Sequence, residues 1–97
     1  MKVNLENLVY MVLEHFDDVK EYYRIKEGGD ASSFTRVHER MQRGERAMWD
    51  FCNILGIDQQ KLYNVTKGIR KWHEKRGWQV YFPFGRNSKA ILEYLKA

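Results

Sequence analysis

Apolar residues recur at Leu5, Leu8, Val9, Val12, Phe16, Val19 and Tyr23, steps of three and four that gather on one face of a helix. The pattern predicts a long amphipathic helix over 4–27, with Asn4 as its N-cap and Gly28-Gly29 as its stop. At 1.5 Å per residue it would run about 36 Å, longer than the roughly 32 Å breadth of a compact domain of this size. It is therefore expected to project or to lie across a partner subunit. Asp30-Ala31-Ser32-Ser33 reads as loop and cap. Phe34, Val37, Met41, Gly44, Met48, Phe51 and Leu55 then alternate by three and four, the seam of a second helix over 34–55. Gly44 on that seam either admits a close neighbour or divides the helix into 34–43 and 45–55.

Gly56 reads as a left-handed C-cap with Ile57 folding back after it, and Asp58 as the N-cap of a third helix. Its seam, Leu62, Val65, Ile69 and Trp72, predicts that it reaches about Arg76, where Gly77-Trp78 repeats the glycine-plus-apolar ending. Trp78, Val80, Phe82 and Phe84 alternate with their neighbours, the period of an extended strand, and Pro83 limits the segment to an edge strand or an extended loop. Asn87-Ser88 caps a last helix over 89–96 that docks through Ile91, Leu92 and Leu95. These elements predict a single all-α domain over residues 1–97. It has four helices, or five if Gly44 divides the second, and a short extended aromatic segment near 78–84.

The 97 residues are 43% hydrophobic and 14% aromatic, enough for one core. Cys52 has no second cysteine to pair with, which suits a reducing compartment. The longest apolar run, Leu8–Leu13, is shorter than a signal sequence or a membrane span requires, and a cytoplasmic protein is expected. Charge is divided along the chain. Residues 1–57 hold 8 Lys/Arg against 10 Asp/Glu, whereas residues 58–97 hold 9 against 3. The net charge of +4 therefore belongs to the C-terminal part, the footprint expected of a nucleic-acid or acidic partner.

Residues 48–67, MWDFCNILGIDQQKLYNVTK, combine these features. Cys52 supplies a small residue where two helices touch, Gly56 the turn, Phe51, Leu55, Ile57, Leu62 and Val65 the apolar anchors. The segment resembles the motif of helix-turn-helix DNA-binding proteins, over about 20 residues and at the level of the motif alone. The resemblance implies that the second helix reads base edges in the major groove. Gln59, Gln60, Tyr63, Asn64 and Lys67 would be the reading positions, and Gln and Asn suit adenine. Lys61, Lys67, Arg70, Lys71, Lys75 and Arg76 would meet phosphates. The aromatic segment, where exposed, would stack on bases, anchor a protein partner or form a wing with Arg86 at its tip; its alternate aromatics equally suit a cover for the open end of the bundle. The same residues also suit a plain helical bundle with a solvated basic face.

Catalytic chemistry has little to work with. His15, His38, His73 and Cys52 lack metal-ligand spacing, no glycine loop cradles a phosphate, and Ser32-Ser33 stand in no nucleophile motif. Neither cofactor nor metal is expected, nor an enzyme. The leading expectation is a small DNA-binding regulator. The alternative is a phage or mobile-element type of interaction module that binds and regulates a host protein complex, docking an acidic partner surface or using Trp78, Tyr81 and Phe84 as anchors. Either function is compatible with a homodimer.

Overall fold

In the computed structural model the chain is described over residues 1–28, 31–73 and 77–97, with residue 31 and residues 69–73 and 77–79 as backbone. Four helices form an all-α architecture: α1 (Leu5–Gly28), α2 (Ala31–Leu55), α3 (Gln59–Thr66) and α4 (Ser88–Lys96). A two-stranded antiparallel hairpin, β1 (Ile69–His73) and β2 (Gly77–Tyr81), is inserted between α3 and α4.

Asn4 starts α1 as expected: its Oδ1 accepts the Asn7 amide at 2.8 Å, and its carbonyl accepts from Leu8 N. The helix does not project. It lies against α2, in a body 40 × 26 × 18 Å. Tyr22 meets Phe34 and His38 at ring distances of 5.3 and 5.5 Å, while Asp18, one turn earlier, pairs with Arg40 at 2.9 Å. Contacts that step backward on α1 as they step forward on α2 make the two helices antiparallel. α2 begins at Ala31, three residues earlier than expected, and continues unbroken through Gly44. Four helices are therefore present among the described residues, not five. Asp30, expected in the cap, lies outside the described residues.

Leu8, Val9, Val12 and Phe16 of α1 form the core with Met48 and Cys52 of α2, Leu62 and Val65 of α3, Ile91 and Leu95 of α4, and Phe82. Phe82 stacks on Phe16, ring centroids 3.9 Å apart and planes 17° from parallel. Two buried residues of α1, Ile25 and His15, are not expected from the pattern. His15 on α1 is 7% exposed, and its Nδ1 has no partner among the described residues. Burial pulls its pKa below the ordinary 6.5, although the Glu45 and Asp18 carboxylates act in the other direction.

The largest departure from the sequence pattern lies at 67–77. The third helix ends at Thr66, ten residues short of Arg76, and Ile69–His73 is a strand. Thr66 turns its hydroxyl back to the Leu62 carbonyl at 2.9 Å, and Lys67 is already extended. Gly68 then fits under the sheet: a Cβ there would stand 3.0 Å from Val80 Cγ1 and 3.5 Å from Phe82 Cε1. The physical reason is backbone satisfaction. A lone strand at 78–82 would leave its N–H and C=O groups unpaired. Ile69–His73 supplies the partner, in the register Ile69–Tyr81, Arg70–Val80, Lys71–Gln79, Trp72–Trp78 and His73–Gly77. Gly77 is thus a ladder position and not a helix stop. The strand ends at Tyr81, before Pro83.

Two outcomes follow for stability. Phe82→Ala should cost about 3–5 kcal/mol in urea denaturation, because it empties the stack on Phe16. His15 should make the fold acid-sensitive. With its folded pKa depressed, the unfolded chain takes up the proton first, so stability is complete above about 6.5 and falls as pH drops below it. The slope should approach at most about 1.4 kcal/mol per pH unit. His15→Leu should flatten that dependence between pH 7 and 5, and an unchanged slope would remove His15 as its source.

Candidate nucleic-acid interface

The α2–α3 junction is built by local hydrogen bonds. Ile57 N donates to Cys52 O at 3.0 Å and Gly56 N to Asn53 O at 3.2 Å, the paired bonds of a Schellman motif, with Gly56 at φ +70°. Asp58 Oδ1 then accepts the Gln60 amide at 2.9 Å and opens α3. Cys52 is fully buried beneath the turn, and its Sγ–H donates to the Ile57 carbonyl at 3.3 Å. Burial pushes its thiol pKa up, which suits a packing role and not a nucleophile.

With Leu62 and Val65 buried, the outward face of α3 carries Gln59, Gln60, Tyr63 and Lys67, all exposed. Tyr63 is 53% exposed. Lys61 and Asn64 are half-buried. The amides on this face have partners: Gln59 Nε2 donates to Asn53 Oδ1 at 2.9 Å, Gln60 Nε2 to Asn64 Oδ1 at 2.9 Å, and Asn64 Nδ2 to Tyr94 Oη at 3.0 Å. α3 is thereby tied to α2 on one side and α4 on the other.

The cations expected on one long helix are distributed differently. Only Lys61 stands on α3; Lys67 is its C-cap residue, and Arg70 and Lys71 belong to β1. Lys75 and Arg76 lie outside the described residues. Arg86 lies in the turn between β2 and α4, not at a hairpin tip, and forms an ion pair with Asp17 of α1. Even so, Gln59 to His73 contains four cations and no carboxylate.

The aromatic segment divides between core and surface. Phe82 is buried, Phe84 is half-buried against Tyr94 with centroids 5.0 Å apart, and Tyr81 is 57% exposed. Trp78 is placed by its backbone, in register with Trp72. Ile54, at the end of α2, is 69% exposed and is not singled out by the sequence pattern. Its position along the helix gives no signal, because only the turn at Gly56 decides which side of the last helical turn is covered.

On α1 and α2 a groove of about 590 Å³ is lined by Glu14, Asp17, Asp18, Arg40, Arg43 and Gly44. Asp17 and Asp18 are engaged by Arg86 and Arg40. Among the described residues no cluster of three His, Cys, Asp or Glu side chains is placed to hold a metal ion, and no helix is long and apolar enough to cross a membrane.

Comparison with known protein families, with characterised proteins and with solved structures returns no match to this chain.

The turn chemistry predicts its own sensitivity. Gly56→Ala places a Cβ in the left-handed region and should cost about 1–2 kcal/mol. Asp58→Ala should cost about 0.5–2 kcal/mol. Thermal or urea melts of both variants check these values. A Gly56→Ala protein as stable as the parent would contradict the assigned geometry.

Proposed function

We propose that this protein binds duplex nucleic acid, DNA foremost, through the α2–turn–α3 unit, with the β1–β2 hairpin as a wing beside it. The observation that carries this is the outward face of α3. It is polar, exposed at Gln59, Gln60 and Tyr63, and continues directly into a carboxylate-free basic stretch ending in the hairpin. An α-helix with its side chains is about 10–12 Å across, which fits the roughly 12 Å width of the major groove. Base edges would be met by the first two turns of α3. Lys61, Lys67, Arg70 and Lys71 would meet phosphates, the last two from the hairpin and not from the helix. The short α3 thus gives up backbone contacts that a longer helix would make, and the hairpin takes them over. A non-enzymatic regulator in a reducing, cytoplasmic setting fits the single buried thiol.

A second function is favoured by the exposed Ile54 and Tyr81: docking on an acidic protein surface, as an interaction module would. Exposed aromatic side chains are enriched at protein hot spots.

The two differ in what the cations do. Duplex binding should weaken steeply with salt, and the log–log slope should become shallower by roughly 0.9 for each phosphate that a variant leaves unneutralised. Changing Lys67, Arg70 and Lys71 together to Ala should abolish retention of a 20-base-pair duplex at moderate salt, with the far-ultraviolet circular dichroism unchanged. Retention equal to the parent's would rule out the nucleic-acid function. A pull-down that recovers one stoichiometric protein after nuclease treatment, with no duplex bound, would favour the protein partner.

A further inference from the structure

Two side-chain hydrogen bonds on α3 form a relay toward α4. Gln60 Nε2 donates to Asn64 Oδ1, and Asn64 Nδ2 donates to Tyr94 Oη. The first link joins successive turns of α3, where side chains four apart are neighbours. The second crosses to α4, thirty residues away along the chain. Tyr94 is itself held, because its ring packs on Phe84, which packs against the core. α4 is anchored by Ile91 and Leu95 and started by the Asn87 cap, whose Oδ1 accepts the Ala90 amide at 3.0 Å. The exposed Gln60 amide therefore stands at the outer end of a chain of contacts whose inner end is core.

We infer that Asn64 and Tyr94 are positioning residues that orient Gln60 as the specificity-determining residue of the interface, and that Gln60 reads an adenine. This deepens the nucleic-acid function proposed above and depends on it. A primary amide carries two N–H donors and an acceptor oxygen. Gln60 gives one donor to Asn64 and keeps the second beside its free Oε1. A donor and an acceptor side by side match adenine in the major groove, where N7 accepts and the N6 amine donates. Asn64 has committed its oxygen and one N–H to neighbours and is half-buried, so it supports and does not read. Without the link, Gln60 would sample its rotamers freely and would lose their entropy on binding. The other amide pair, Gln59 with Asn53, lies between two exposed residues and has no such anchor in the core.

The test separates preference from affinity. The purified protein selects from a randomised 20-base-pair duplex library at moderate salt, and the retained strands are sequenced. The parent is expected to enrich one adenine position by on the order of tenfold over the other bases, the discrimination of one bidentate contact. Gln60→Ala should remove that enrichment and leave the others. Tyr94→Phe, which keeps the ring and deletes only the acceptor, should lower it several-fold, with overall duplex affinity, its salt slope and the melting temperature close to the parent's. Asn64→Ala should lower the same enrichment from the α3 side, and the two variants combined should lower it no further than either alone. A merely structural link would lower affinity at every position together. Enrichment intact in Tyr94→Phe and Asn64→Ala overturns the positioning role. A parent that retains duplex without any base preference overturns the inference and leaves the proposed function in place. A parent that retains no duplex overturns both.

Discussion

The contact between Phe16 and Phe82 holds the two halves of the molecule together. Two long antiparallel helices bury a seam of their own, but they leave one side of α1 uncovered. Phe82 closes it, its ring lying flat on Phe16 at 3.9 Å in a core that also takes in Leu62, Val65, Ile91 and Leu95. The segment after α3 is tied to α1 in part by that stack. The hairpin arrives just before Phe82, the turn carrying Arg86 leaves just after it, and α4 returns to pack beside α1. Aromatic rings supply large areas of apolar contact per residue, which is how one side chain on a connecting segment can fix elements on both sides of it.

Charge follows the same division. α1 and α2 meet across a surface where opposite charges are interleaved, Asp18 with Arg40 and, from the far end of the chain, Asp17 with Arg86. Exposed pairs of this kind contribute about 0–1 kcal/mol each, so they set local register more than they set stability. The face of α3 and the hairpin strand β1 has no carboxylate to match its cations. The α3 face that carries Lys61 also carries an exposed tyrosine and exposed amides.

The helices are legible in the sequence because their signals are local. Asn4, Gly56, Asp58 and Asn87 each act within a few residues, and each is found at the cap its type implies. The start of α2 is not, because Ser32 and Ser33 serve as caps in some contexts and as first-turn residues in others. The hairpin is half legible. Val80 and Phe82 point inward as alternation requires, but Ile69 and Trp72 are spaced three apart and fit a helix seam. Only a long-range fact decides between the two: β2 needs a ladder partner, and the nearest chain able to provide one is the segment just before it. For the candidate interface, the residues on the outward face of α3 are identifiable from the turn onward. The place of Arg70 and Lys71 on the hairpin is not, nor is the use of Arg86 by Asp17, since neither partner is near in sequence. Tyr94 is silent for the same reason: nothing around it in the sequence points to Asn64.

The joint between α3 and the hairpin is only two residues long, and neither is loose. Lys67 N still donates to the Tyr63 carbonyl at 2.9 Å, and Gly68 lies so close to Val80 that a Cβ there would stand 3.0 Å from its Cγ1 and make that side chain give way. A helix and a hairpin joined this way have little freedom to turn separately, because both also pack on the core. Their relative angle is set by that packing. Any macromolecule that uses both must already match that angle. The association would then forgo the ordering cost that a hinged arm imposes, at the expense of excluding partners of a different curvature.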